Sequence, residues 1–262
     1  MLSKAIAIIW HSVLMVLNNL GTAALISLPL GLFAILVYAL AVLLFAMIAA
    51  NTAIAVPLGI IGILVLIVFV SFVFSIIAIK WHRFVLLGEL DKNIFTSWQK
   101  LNYVGYTIGV FKIFMILFLL SIPFLGIFLM GSPNPMAVGQ FAQNGNNFSF
   151  FYIALILYNI ALSYLFFRMA VALPSIAIGS DISSIKQSWD ATKKFNGVIF
   201  ICAVLLGLLN LGLSLLQFPM QFSGAFFVVV IIISFVLQWF FAMVGISFLT
   251  TLYGHFIEER EL

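Results

Sequence analysis

Charge is what this sequence lacks most. Only 7% of its 262 residues are Asp, Glu, Lys or Arg, where a soluble domain carries about a quarter. A chain so poor in ionisable groups cannot keep a water-facing surface wet, which excludes an ordinary soluble domain. Cysteine is almost missing as well. Cys202 is the single one and lies inside an apolar run, so there is no disulfide framework and the thiol reads as a small buried hydrophobe. Signs of catalysis are also absent. His11, His82 and His255 are isolated, with no partner at metal-ligand spacing, and read as solvated interfacial side chains. No glycine-rich phosphate loop precedes a helix with a lysine, and no serine sits in a nucleophile elbow. Glu89 and Asp91 are two apart, so a helix would turn them away from each other. The expectation is a non-enzyme with no catalytic residue, metal or cofactor.

What is present is apolar surface: 65% of the chain is hydrophobic and 16% aromatic. A membrane-crossing helix needs about 20 mostly apolar residues. Six runs qualify: Thr22–Ala49, Val56–Ile79, Tyr106–Met130, Ser149–Leu173, Gly197–Gln217 and Ala225–Leu252. Backbone groups in lipid must bond internally, so the runs read as helices. Pro29, Pro57, Pro123 and Pro219 are expected near span ends. The fold class is an all-α polytopic membrane protein, a single integral membrane domain over residues 1–262.

The few charges are placed asymmetrically. The connections Ala50–Ala55, Gly131–Phe148 and Phe218–Gly224 hold no ionised residue. The other face holds Lys4, the stretch WHRFVLLGELDKNIFTSWQK (81–100), the segment from Arg168 to Lys194, and a tail ending Glu258, Glu259, Arg260, Glu261. Lys and Arg mark the cytoplasmic side, so both termini are expected there. Trp10, Trp81, Trp98 and Trp189 fall on the same face, where the headgroup layer suits an indole. The net charge of +4 is spread over helix ends, which points to a membrane surface and not to nucleic acid. Lys4 with its apolar run resembles a signal peptide. The chain starts at Met1, and the segment is expected to stay as a helix.

Three amphipathic helices are expected on that face. DKNIFTSWQKLN has Asp91 as N-cap and Ile94, Phe95, Trp98 and Leu101 on one side, with Lys92 and Lys100 elsewhere. DISSIKQSWDATKKFNG repeats this. Asp181 caps it, Ile182, Ile185, Trp189 and Phe195 form a stripe, and Lys186, Asp190 and Lys194 are wet, with Lys193 beside them. SKAIAIIWHSVLMVLNNLG is a fainter copy, with Ser3 as cap and Ile6, Ile9, Trp10 and Val13 apolar. The period is about ninety residues, with units of roughly 1–90, 91–180 and 181–262. Arg83, Arg168 and His255 close the second span of each unit in WHRF, FFRM and YGHF. Two spans per unit make the units parallel, a possible threefold repeat about the membrane normal.

Within the spans, Asn159, Asn210 and Gln238 are amides near mid-depth. They read as interhelical hydrogen-bonding groups or as the lining of a polar path. Lys112 is the deepest charge and either snorkels or serves as a substrate counter-ion. Gly105 and Gly109 form a GxxxG pair that favours close helix contact.

RFVLLGELDKNIFTSWQK and ALPSIAIGSDISSIKQSWDATKKFNG resemble the loops of a group of poorly characterised bacterial six-helix inner-membrane proteins. That group is related to the membrane domain of glycerophosphodiester phosphodiesterases. The resemblance runs through the repeat layout over most of the chain. It implies a membrane module that handles or senses lipid, without the phosphodiesterase barrel. The first expectation is a non-catalytic inner-membrane protein, either an accessory or assembly subunit or a lipid-interacting, membrane-shaping module. Its partners would be anionic lipids and a membrane protein complex or homo-oligomer, not nucleic acid. Contacts with headgroups or a partner fall to Lys4, Trp10, Arg83, Lys92, Trp98, Lys100, Arg168, Lys186, Trp189, Lys193 and Lys194. The alternative is a transporter or lipid-handling permease with a basic vestibule of Arg83, Lys112 and Arg168, unless those arginines are snorkelling anchors.

Overall fold

A computed structural model describes residues 1–48, 52–90, 102–131, 145–180, 184–216 and 225–262. The described chain is helical, with α1 (Leu2–Leu17), α2 (Leu20–Ile48), α3 (Thr52–Leu87), α4 (Tyr103–Gly131) and α5 (Gly145–Ala170). Two short helices follow, α6 (Ala172–Ile178) and α7 (Ile185–Ala191), then a 3-10 turn (Lys193–Phe195), α8 (Asn196–Leu216) and α9 (Ala225–Phe256). Six of these helices are long and apolar enough to cross a membrane, which is the architecture of a multi-pass membrane protein. The second expected amphipathic helix, with Asp91, Lys92, Trp98 and Lys100, lies outside the described residues, as do Asp181 and Pro219.

Pro29 and Pro123 are not at span ends. Both lie inside continuous helices, α2 and α4. A serine two positions before each bonds back along its own helix: Ser27 Oγ donates to Ala23 O at 2.6 Å and Ser121 Oγ to Leu117 O at 2.7 Å. Hydroxyls of this kind help a lipid-embedded helix tolerate a proline.

The charged ends of the helices gather at one end of the bundle, and the core is there too. Buried side chains in α2 run from Ala23 to Leu30, in α3 from Val73 to Leu86, in α4 from Tyr103 to Ile113, in α8 from Val198 to Ala203 and in α9 from Met243 to Phe256. At the centre sits α6, whose Ala172, Leu173, Pro174, Ser175 and Ala177 are all buried against α3, α4 and α9. It stops at Gly179, whose positive φ of 75° lets Ser180 N–H bond back to Ser175 O. Of the GxxxG pair, Gly109 does allow a close approach, since a methyl group there would come within 3.2 Å of Leu173 Cδ2. The partner is this short helix and not another span. At Gly105 the nearest atoms are those of its own neighbour Asn102.

α1 also departs from expectation. Ser3 is not a cap: the helix starts at Leu2 after Met1, with no side-chain cap bond. The buried line is Ala5, Ile8, Ser12 and Val16, while Ile6 and Trp10 face outward. α1 packs on both α8 and α9, so it descends into the bundle. Lys4 lies over Phe256, Ser12 reaches Thr251, and on α2 Ser27 meets Trp239. These contacts follow α9 antiparallel. The sequence stripe failed because both sides of α1 are apolar, so periodicity could not tell protein from lipid.

Candidate functional site

Three polar assemblies occupy the charged end. The first is structural. His82 is fully buried, with Nδ1 2.7 Å from Thr250 Oγ1 and Nε2 3.0 Å from Tyr106 Oη. Thr250 spends its own proton on Ile246 O, so it accepts from His82 Nδ1–H. Nε2 makes the second bond, with the Tyr106 hydroxyl, so both ring nitrogens have partners. Next to it Trp81 is fully buried and donates Nε1–H to Ser247 Oγ at 2.7 Å. Both side chains are enclosed by protein instead of open to solvent or headgroups, which corrects the sequence reading of both. The small hydroxyl residues of α9 let α3 approach closely and then satisfy its polar atoms.

The second assembly is built on Arg168, at the end of α5. It is only 3% exposed. Its Nη2 donates to Trp189 O at 2.6 Å and its Nε to Thr192 Oγ1 at 3.2 Å. The guanidinium lies 3.6 Å from the centroid of the Trp189 ring and 5.8 Å from that of Tyr164. Ser188 Oγ returns a bond to Arg168 O at 2.6 Å. α7 is thereby fastened onto the end of α5. Its start is set by Ser184, which forms a capping box with Gln187. The amphipathic segment is thus a seven-residue helix and a turn, with Lys186, Asp190 and Lys194 exposed as expected.

Arg83 is equally committed. Its guanidinium is paired with Glu89, and Nη1 donates to Ala177 O at 3.1 Å. Lys112 is exposed on α4. Two members of the basic vestibule expected from the sequence therefore already have protein partners.

The third assembly is open. The rings of Phe195 and Phe256 stack with centroids 4.0 Å apart and planes at 11°. Lys4 Nζ lies 5.6 Å from both ring centroids, and Lys194 Nζ lies 5.0 Å from that of Phe195. Beside this stack is a groove of about 550 Å³ lined by Asp190, Ala191, Lys193, Lys194, Phe256, Ile257 and Glu259. Sequence reasoning picked out the three lysines but did not join them, because the closure depends on α1 returning to the end of α9. It assigned nothing to Asp190 or Glu259 in this place.

The mid-span amides are not brought together in a shared interior. Asn159, Asn210 and Gln238 are all exposed on the outer surface. Asn159 Nδ2 donates to Leu155 O of its own helix at 2.9 Å. Trp10 is 59% exposed on the outer side of α1, as an interfacial indole would be. Among the described residues no group of three or more His, Cys, Asp or Glu side chains could hold a metal ion. No known protein family, curated protein or solved structure matches this chain.

Proposed function

We propose that this chain is a non-catalytic, lipid-interacting module of a bacterial inner membrane, with both termini cytoplasmic, that holds lipid headgroups at its charged end. The observation that carries the reading is the placing of Lys4 and Lys194 at the Phe195–Phe256 stack, with Lys193 and Lys194 lining the open groove beside it. Lysines near an anionic surface contribute about 1 kcal/mol each, and the gathering of charge at one end fits the positive-inside rule. Native mass spectrometry of protein released from nanodiscs tests it. A Lys4→Gln, Lys193→Gln, Lys194→Gln variant is expected to retain phospholipid about 100-fold less well, at roughly 1 kcal/mol per lysine. Equal retention by the variant would sink the reading.

The alternative of a permease with a basic vestibule has less support, since Arg83 and Arg168 are spent on Glu89, Ala177, Thr192 and Trp189. A role as accessory subunit or homo-oligomer is supported by the outward amides Asn159, Asn210 and Gln238. An amide facing hydrocarbon gains from a partner helix that offers it a hydrogen bond. The threefold parallel repeat belongs to the same reading. Arg83, Arg168 and His255 each donate to a carbonyl beyond their own span, on Ala177, Trp189 and Arg260.

A further inference from the structure

The groove is not uniformly basic. Asp190 and Glu259 line it together with Lys193 and Lys194. The ion pairs found among the described residues are Arg83–Glu89 and Arg260–Glu258, so these two carboxylates have no cationic partner there. Opposite charges in one groove that do not pair with each other are arranged for a ligand carrying both signs.

The backbone adds an independent observation. Glu259 has φ 56°, the one positive value at a non-glycine residue among those described. It lies in the turn that follows α9, three residues past Phe256, where Arg260 N–H bonds back to Gly254 O at 2.9 Å. Glycine fits this position without strain, and a side chain there works against the local geometry. Glutamate brings a carboxylate to the groove at the cost of that strain. Strained positions of this kind persist where the side chain has a use.

We infer that the groove between the Lys193–Phe195 turn and the end of α9 recognises the zwitterionic headgroup of a phosphatidylethanolamine-type lipid, phosphate on the lysines and primary ammonium on Asp190 and Glu259. This rests on the reading of the same groove as a headgroup site and names the headgroup. A primary ammonium offers three N–H donors to the two carboxylates. A trimethylammonium offers none and is normally held by open aromatic faces, and here the Phe195 and Phe256 rings stack on each other with Lys4 and Lys194 beside them. A purely anionic headgroup would meet Asp190 and Glu259 as like charges. The lipid is favoured over a free phosphorylated amine because Ala191, Phe256 and Ile257 line the same groove and offer apolar surface beside the charged groups.

The test uses the full chain in detergent, with short-chain phosphatidylethanolamine, phosphatidylcholine and phosphatidylglycerol titrated separately and soluble phosphoethanolamine as a fourth probe. Wild type is expected to bind the ethanolamine lipid about tenfold more tightly than either other lipid, and the soluble amine far more weakly. Glu259→Gly is expected to abolish that preference while leaving the melting temperature equal or higher, because glycine relieves the positive φ. Asp190→Asn should narrow the preference as well. If phosphatidylglycerol binds as well or better, or Glu259→Gly keeps the preference, the headgroup assignment fails while the general reading stands. If the soluble amine binds as tightly as the lipid, the assignment to lipid fails. If all three lipids bind alike and replacing the three lysines changes nothing, both fail.

Discussion

The two halves of this bundle are built on different terms. At the charged end, helices meet through small and hydroxyl-bearing residues: Ala5, Ser12, Ala23, Ser27, Gly109, Ser247, Thr250 and Thr251. Their polar atoms bond across helices, as from Trp81 to Ser247, Trp239 to Ser27 and Ser12 to Thr251. At the far end, large aliphatic side chains such as Leu36, Leu43, Ile63, Val65 and Leu157 stand more than half exposed. Aromatic contacts there include pairs within a hairpin, Phe33 against Phe69 and Phe124 stacked on Tyr158 at 4.1 Å. Lipid tails are as apolar as leucine, so apolarity does not drive helices together in a membrane. Close approach and hydrogen bonding do, and the small residues and hydroxyls that supply them gather at one end.

Substitutions can break that contrast. Trp81→Ala empties a fully buried site and removes the bond to Ser247, and should cost about 3 kcal/mol, read as a loss of reversible unfolding free energy in mixed micelles. Arg168→Met deletes the cation under Trp189 and three donated bonds, and should cost about 2 kcal/mol. Limited proteolysis should then cut near Lys186, because α7 loses its fastening. Ser12→Ala removes one interhelical bond and should cost about 0.6 kcal/mol, the average for such bonds in a membrane protein. Leu43→Ala, at the far end, should change stability by less than about 0.5 kcal/mol. A loss there as large as that of Trp81→Ala would erase the distinction between the halves. Gln238→Leu should leave unfolding unchanged within about 0.5 kcal/mol but reduce any self-association seen by cross-linking in native membranes.

The spans and the one-sided charge were legible in the sequence because both follow from solvent: long runs without charge tolerate only lipid, and ions tolerate only water. Lys4, Lys193 and Lys194 were legible as groups for the same reason. Depth along a span was not. Trp81 and His82 sit where a span meets its charged flank, a place that reads as headgroup layer. What buries them is α6 on one side and α9 on the other, contacts made over more than ninety residues of chain. Periodicity misread α1 because lipid and protein both accept an apolar face. It also put the third amphipathic helix under Asp181, where the structure uses the capping box of Ser184 and Gln187. The role of Arg168 was only half visible. A terminal arginine suggests an anchor, but its stacking on Trp189 depends on how the chain turns between α6 and α7.

The wedge formed by α1 has a consequence for biosynthesis. This helix leaves the ribosome before the other helices described, yet its largest contact is with α9, which leaves after them. α1 must therefore wait, its Ser12 hydroxyl without Thr251, until α9 has been made. Five apolar hairpin arms can enter the bilayer before then, but the packed end can close only when α9 arrives.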